Sequence, residues 1–448
     1  MAYSPHTAAD HERMLAAVGV GSIEDLFADI PPAVRTERFA IPPPLTEQEV
    51  RAEITRLAYR NALPRISFLG AGAYRHLVPA VVGEVIGRAE FATAYTPYQP
   101  EVSQGTLQSI YEFQSMVCEL TGMEVASASH YDGATATAEA ALMACRLTRR
   151  DRVAVSSAVA PQTRAVLRTY CSGPGIEVVE VGADLADGGS GLTPVEAAAA
   201  ALDETVACLV VQEPNFFGGI EPMRELADAA HAAGAQLVVL VEPTSLAVLE
   251  APGAYGADIV TAEGQPLGIP LSFGGPYVGL MAARMASVRQ MPGRLVGATR
   301  DAEGRKGYVL TLQAREQHIR REKAASNICT NQALCALAAT AYLTAVGPQG
   351  LREVAELSMV QARHLAAALE AAGLGERRFA APYFAEVAIR VPDAARVHAA
   401  LGERGIVAGH PLWHDYPQLA DTLLLAATEL TTDTEIEELV ATMREVAR

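Results

Sequence analysis

The chain has 448 residues, more than one compact core of roughly 100–200 residues takes, so two or three packed domains are expected. Half its residues are hydrophobic and 6% aromatic, with 35 Lys+Arg against 52 Asp+Glu and a formal net charge of −17. This is the composition of a soluble globular enzyme rather than a disordered chain, and an acidic balance without a basic run excludes nucleic acid and anionic membrane as partners.

The N-terminus mixes charge into its first dozen residues and has no apolar run before a small-residue cleavage site, so it does not read as a signal peptide. Residues 1–65 read as a helical arm. Two short amphipathic runs precede the turn Pro42-Pro43-Pro44, and a helix starts at the capping signal Thr46-Glu47-Gln48-Glu49 and ends before Pro64. Such an arm cannot bury its own faces and is expected to wrap another domain or subunit. Residues 66–320 alternate apolar runs with helix-period segments, the pattern of crossover βαβ units in a mainly parallel sheet. The strands fall at Arg152 to Ser156, Ile176 to Val181, Val206 to Val211, Gln236 to Val241, Asp258 to Thr261 and Tyr277 to Met281. Residues 321–448 form a smaller α+β domain with connecting helices. A helix-rich stretch from Lys323 to Ala372 breaks at Gly347-Pro348; strands follow near Phe384 to Val391 and Leu423 to Ala427, then a helix from Thr434. The uncharged run Ala333 to Val346 falls short of the roughly 18 apolar residues a membrane span needs and reads as a buried helix.

Six scattered cysteines, without CxxC or a Cys/His cluster at zinc spacing, fit a reduced, cytoplasmic protein with no metal site. Of the 35 basic residues only Lys306 and Lys323 are lysines. Both sit in charged segments and read as solvated surface residues.

Four stretches could carry chemistry. Ser129 to Thr137 is a small-residue turn opening into a helix, and Asp132, Gly133, Ala134 and Thr135 could cradle a phosphate on free backbone N–H groups or simply cap the helix. Glu242 ends a buried strand, where an acid can pair with a pyridinium nitrogen or merely be solvated. The loop after the strand Asp258 to Thr261 is where a pyridoxal-phosphate enzyme would carry its Schiff-base lysine; here it reads Glu263-Gly264-Gln265-Pro266 and holds no primary amine. Phe91 to Gly105 packs Tyr95, Pro97, Tyr98 and Glu101 into tight turns that suit a ligand or subunit contact better than a core. Ser326-Asn327 is similar in kind, or a helix cap.

Three runs, TAYTPYQPEVSQG (Thr93 to Gly105), HIRREKAASNICT (His318 to Thr330) and PGAYGADIV (Pro252 to Val260), together with IPLSFGGP (Ile269 to Pro276), resemble the P-protein family of the glycine cleavage system, more narrowly the alpha chain of its split bacterial form. The resemblance extends over essentially the whole chain. It implies a fold-type-I pyridoxal-phosphate architecture, with a seven-stranded large domain, in an α2β2 heterotetramer with a homologous beta chain. In the family the cofactor lysine lies on the beta chain, and Gln265 occupies that position here. Glu242 stands where the family usually has Asp. The implied activity is glycine decarboxylation with transfer of the aminomethyl group to the lipoyl arm of H-protein. On this reading the chain holds no covalent pyridoxal phosphate, keeps a degenerate phosphate cradle at Asp132 to Thr135, and walls the beta chain's site with Tyr95, Pro97, Tyr98 and Glu101, and more weakly Ser326 and Asn327. Two alternatives remain: a stand-alone pyridoxal-phosphate lyase using Lys306 or Lys323, and a catalytically silent scaffold.

Overall fold

The computed structural model describes residues 5–36 and 40–446. Met1–Ser4, the start of the segment read as lacking a signal peptide, lie outside it. The chain divides into two compact units, Met1–Ala62 and Leu63–Arg448.

In the first unit, helix α1 (Ala8–Val18) and helix α2 (Glu47–Ala58) each start at a capping box, Thr7 with Asp10 and Thr46 with Glu49. The reciprocal bonds satisfy two otherwise orphaned N–H groups, and the Thr46 start matches the sequence expectation. Neither helix buries a single residue. The apolar positions Met14, Val18, Val50, Ile54 and Leu57 are all more than 40% exposed.

The second unit is built on a seven-stranded sheet. Its strands are β1 (Val125–Ala126), β2 (Arg152–Ser156), β3 (Glu177–Val181), β4 (Val206–Glu213), β5 (Gln236–Val241), β6 (Ile259–Glu263) and β7 (Gly279–Ala283), in the spatial order β1-β7-β6-β5-β4-β2-β3. The strands β6, β5, β4, β2 and β3 run parallel, and β7 and β1 join antiparallel at one edge. Both central strands are apolar throughout, from Val206 to Val211 and from Leu237 to Val241, and buried on both faces. This is what crossover helices on either side of a parallel sheet require. Those helices include α3 (Gln104–Thr121), α4 (Gly133–Thr148), α5 (Pro161–Ser172) and α6 (Met223–Ala232).

A hairpin of β8 (Leu295–Arg300) and β9 (Lys306–Thr311), not foreseen from the sequence, packs on α3 through Leu107, Ile110, Val296, Tyr308 and Leu310. Helix α7 (Ala333–Ala371) follows and is interrupted at Gly347, whose φ of 62° and ψ of −178° are open to glycine and leave Pro348 to restart the helix. By length and composition alone α7 could cross a membrane. The interruption shortens its first part below a span, and Ala336, Leu337, Ala339 and Tyr342 are packed in the core. The helix begins at Ala333 rather than Lys323. Lys323 lies in a short 3-10 turn that follows a single helical turn at Gln317–Arg320, and polar anchors described below hold residues 324–332 in irregular structure.

The chain closes with a four-stranded antiparallel sheet of β10 (Glu376–Arg377), β11 (Glu386–Arg390), β12 (His410–Pro411) and β13 (Thr422–Ala426), in the order β10-β11-β13-β12, covered by α8 (Ala394–Glu403) and α9 (Asp433–Val446). A second apolar core fills this part, with Leu365, Leu369, Ile389, Leu401, Leu425, Ile436 and Leu439 at its centre. Each such side chain contributes roughly 1.5–3 kcal/mol by leaving water.

Candidate functional site

A cavity of about 280 Å³ opens at the carboxyl ends of β5 and β6, beside the N-terminus of α4, the place where an open parallel sheet presents a ligand. Glycine at 133 is demanded by packing: a Cβ there would stand 2.7 Å from the Glu263 nitrogen. The close approach brings the Glu263 carboxylate onto the helix end, where Oε2 accepts the Gly133 N–H at 2.9 Å. Asp132 Oδ1 accepts the Thr135 N–H at 2.7 Å, completing a capping box. The chain's own carboxylates therefore hold N–H groups that a phosphate would use.

Gln265 is 1% exposed and fully engaged. Its Oε1 accepts the Tyr74 N–H at 2.8 Å, and its Nε2 donates to the carbonyls of Tyr74 at 3.0 Å and Ile269 at 2.8 Å. The amide thereby ties the segment Gly70–Tyr74 along the cavity. The same segment is fastened to the small sheet: Tyr74 Oη and the Ala71 N–H both donate to Glu386, each at 2.7 Å, and Thr428 Oγ1 donates to the Arg75 carbonyl at 2.6 Å. These contacts span up to 353 residues of sequence, so local reasoning had no signal for them.

The electrostatics are one-sided. Asp132, Glu242 and Glu263 line the cavity, and no lysine, arginine or histidine does. Burial pushes Glu263 up to about 7 and raises Glu242 as well. Glu242 is turned back on its own turn, accepting from Thr244 Oγ1 at 2.7 Å and from the Thr244 and Ser245 N–H groups at 3.1 and 2.7 Å. Pyridoxal phosphate does not fit this set of residues. There is no amine to bind its aldehyde, the phosphate cradle is taken, the strand-end acid is occupied, and a phosphate dianion would meet three acidic side chains and no cation among the lining residues. Lys306 sits on the hairpin with its Nζ over the Tyr308 and Tyr111 rings, and Lys323 is exposed. Neither lines the cavity.

The second candidate constellation lies where Phe91–Val102 meets residues 316–331. Tyr95 is 74% exposed and Tyr98 44%; Glu101 is exposed in a 3-10 turn and Pro97 is buried. A residue the sequence reading missed organises this region. Arg294 is buried, donates from Nη2 to Tyr98 Oη at 3.0 Å, and lies 3.6 Å from the buried Glu316 carboxylate. The Tyr98 ring also meets His318 edge-on at 5.7 Å. Ser326 points inward, its Oγ donating to Glu139 Oε1 at 2.7 Å, whereas Asn327 is exposed. Arg315 binds the carbonyls of Met291 and Gly293, and Asn331 donates to Ser129 Oγ. A carboxylate at 139 in an alanine-rich helix is the one sequence signal that could have pointed to the Ser326 anchor. His130, read with the cradle, is fully buried, and desolvation pushes it down to about 3, so its ring is neutral.

Comparison with known proteins agrees over the full length. The family profile described as glycine cleavage system P-protein matches residues 1–443. The probable glycine dehydrogenase (decarboxylating) subunit 1 of Moorella thermoacetica is 52% identical over 446 residues, covering 99% of each chain. Its counterpart in Thermomicrobium roseum is 52% identical over 449 residues, again covering 99% of each. Among solved structures, the inhibitor-bound glycine decarboxylase (P-protein) of the glycine cleavage system superposes with a TM-score of 0.91 at 46% identity, covering 100% of both chains. A sphingosine-1-phosphate lyase from Burkholderia pseudomallei superposes at 0.68 with 17% identity, covering 94% of each chain, and shows the fold alone. The architecture is the fold-type-I arrangement expected from the sequence.

Proposed function

The chain belongs to the glycine cleavage system P-protein family, and on that premise we propose that it is the first subunit of a two-chain glycine dehydrogenase (decarboxylating) that cannot act alone. The observation that carries this reading is Gln265: where the chemistry needs an amine, the chain has an amide held by three hydrogen bonds. The homologous partner chain holds pyridoxal phosphate, which supplies the electron sink for decarboxylating glycine. The two chains assemble as an α2β2 heterotetramer in the cytoplasm, and lipoylated H-protein receives the aminomethyl group. Residues 1–65 form the arm, 66–320 the large domain and 321–448 the small domain.

On this reading the chain contributes a wall to the partner's site. Tyr95, Pro97, Tyr98 and Glu101 form that wall. The two exposed phenols position groups by hydrogen bonding and exclude water rather than bond covalently. The exposure of both rings supports the assignment, since a solvated tyrosine pair on a turn gains from a partner surface. Ser326 and Asn327 belong to the wall's support, Ser326 through its bond to Glu139.

The test is co-expression with the partner chain and an assay of glycine/bicarbonate exchange. Exchange is expected with both chains and with neither alone. Tyr95→Phe or Tyr98→Phe is expected to lower exchange about tenfold or more while the complex still assembles; unchanged exchange in both variants would leave the wall without a role and favour a silent scaffold.

A further inference from the structure

The formal net charge of the chain is −17, yet one protruding loop has the opposite sign. Residues 315–325 close on themselves: the Ala325 N–H donates to the Arg315 carbonyl at 3.3 Å, and Arg315 in turn binds the carbonyls of Met291 and Gly293. A surface loop whose ends meet is a fixed feature rather than a loose tether. Its tip, Gln317–Lys323, is exposed at every residue. There Arg320, Arg321 and Lys323 stand against one exposed carboxylate, Glu322. Glu316 is buried and faces Arg294 and His318 instead, and among the described residues no carboxylate forms an ion pair with any of the three cations. Arg320 uses only its Nε, on the Ala314 carbonyl at 3.0 Å. Arg321 adopts φ 54° and ψ −123°, a conformation that favours glycine, so an arginine is kept where the backbone would prefer another residue. His318, on the same tip, meets the Tyr98 ring edge-on at 5.7 Å, which places the loop on the border of the tyrosine turn. Ile319, 51% exposed, sets an apolar spot among the cations.

We propose that this loop is the docking surface for the protein that carries the lipoyl arm, and that it recognises a carboxylate-rich face at the base of that arm. The inference rests on the function proposed above, in which a carrier delivers its arm to the wall formed by Tyr95 and Tyr98. A chain of net charge −17 repels an acidic partner over most of its surface. It attracts that partner where unpaired cations lie within a Debye length, about 8 Å at physiological salt, so encounter is steered to this loop. Two guanidinium forks suit carboxylates in shape as well as sign. Ile319 gives the contact an apolar centre, the usual complement to a charged rim. Nucleic acid has the same sign as the proposed partner, but three cations on an acidic chain release too few counterions to hold it.

The test uses the assembled two-chain enzyme and glycine/bicarbonate exchange with two acceptors: lipoylated H-protein, and free lipoamide, which has the same reactive ring without a protein surface. The charge-reversed variant is Arg320→Glu, Arg321→Glu and Lys323→Glu together. It is expected to raise KM for the carrier about tenfold or more and to abolish its increase with salt. The kcat and the exchange with lipoamide are expected to stay within about twofold of wild type, because no group at the reacting atoms has changed. The neutral variant, with glutamine at all three positions, is expected to raise KM for the carrier about threefold with the same loss of salt dependence, and it carries the test if the reversed variant does not fold. An unchanged KM for the carrier would overturn the proposal. So would an equal loss with lipoamide, which would put the loop inside the reaction site, or a failure to assemble, which would assign it to the contact between the two chains. Wild-type enzyme that exchanges with neither acceptor would overturn the function proposed above and this inference with it, whereas carrier-dependent exchange indifferent to the charge reversal overturns the docking surface alone.

Discussion

Replacing Gln265 with alanine deprives three buried backbone groups of their partner: the Tyr74 N–H and the carbonyls of Tyr74 and Ile269. Each such group left unpaired costs about 1–3 kcal/mol. Water entering from the adjoining cavity repairs part of the loss, leaving a local destabilisation of about 3–6 kcal/mol. One decade in an equilibrium corresponds to about 1.4 kcal/mol. Where exchange proceeds by local opening, amides of the segment Ala73–Leu77 should therefore exchange with deuterium about 10²–10⁴ times faster. Mass spectrometry of exchange on the wild type and the variant measures this directly. Gln265→Lys is the sharper companion. It restores an amine and can still donate to the two carbonyls, but offers the Tyr74 N–H no acceptor and does nothing to free Gly133 and Thr135 from their carboxylates. Incubated with pyridoxal phosphate and borohydride, it should yield no adduct at position 265. Exchange within threefold of wild type in Gln265→Ala, or a trapped adduct in Gln265→Lys, would refute the reasoning.

Two further outcomes follow from the same site. Burial pushes Glu386 up to about 7 from an ordinary value of 4.5. The folded chain thus retains a proton there that the unfolded chain has lost, and the stabilisation, full below pH 4.5, declines as pH rises towards 7. Glu386→Gln keeps an acceptor and a neutral side chain and should flatten that part of the stability-versus-pH curve in urea titrations; a curve of unchanged slope would remove Glu386 as a cause. Gly133→Ala places a methyl 2.7 Å from a backbone nitrogen. It should push α4 away from β6 and lower the urea midpoint by an amount equivalent to about 1–3 kcal/mol, and a midpoint within error of wild type would show that the helix end gives way freely.

The parallel sheet was readable because its central strands are apolar runs of strand length separated by helix-period segments, and the strand ends at Val241 and Glu263 lie within two residues of the expected ones. That the loop after β6 holds no lysine was readable from composition and one loop. Gln265 reaching back to Tyr74 was not readable, because the partners are 191 residues apart and no local pattern encodes them. The same holds for Arg294, an ordinary basic residue until the fold buries it beside Tyr98 and Glu316. Helix-period reasoning extended the last long helix to Lys323 for a related reason. The intrinsic preference of residues 323–332 is overridden by tertiary bonds from Ser326 to Glu139 and Asn331 to Ser129. Short β1 has only two residues, and the six-residue strands of the β8–β9 hairpin carry contiguous rather than alternating apolar residues, Leu295-Val296 and Tyr308-Val309-Leu310.

The segment Gly70–Leu77 is bonded at once to the loop after β6, through Gln265, and to the small sheet and its following turn, through Glu386, Thr428 and Glu429. In a mobile two-part enzyme such a strut would have to break in every cycle of opening and closing. Bonds at both ends of the segment oppose hinge motion between the parts they join. A chain already fixed in one shape gives up little conformational entropy when it docks, so more of the contact energy of any surface it presents appears as affinity. Gln265 ties one end of that strut, and Glu386 with Thr428 ties the other.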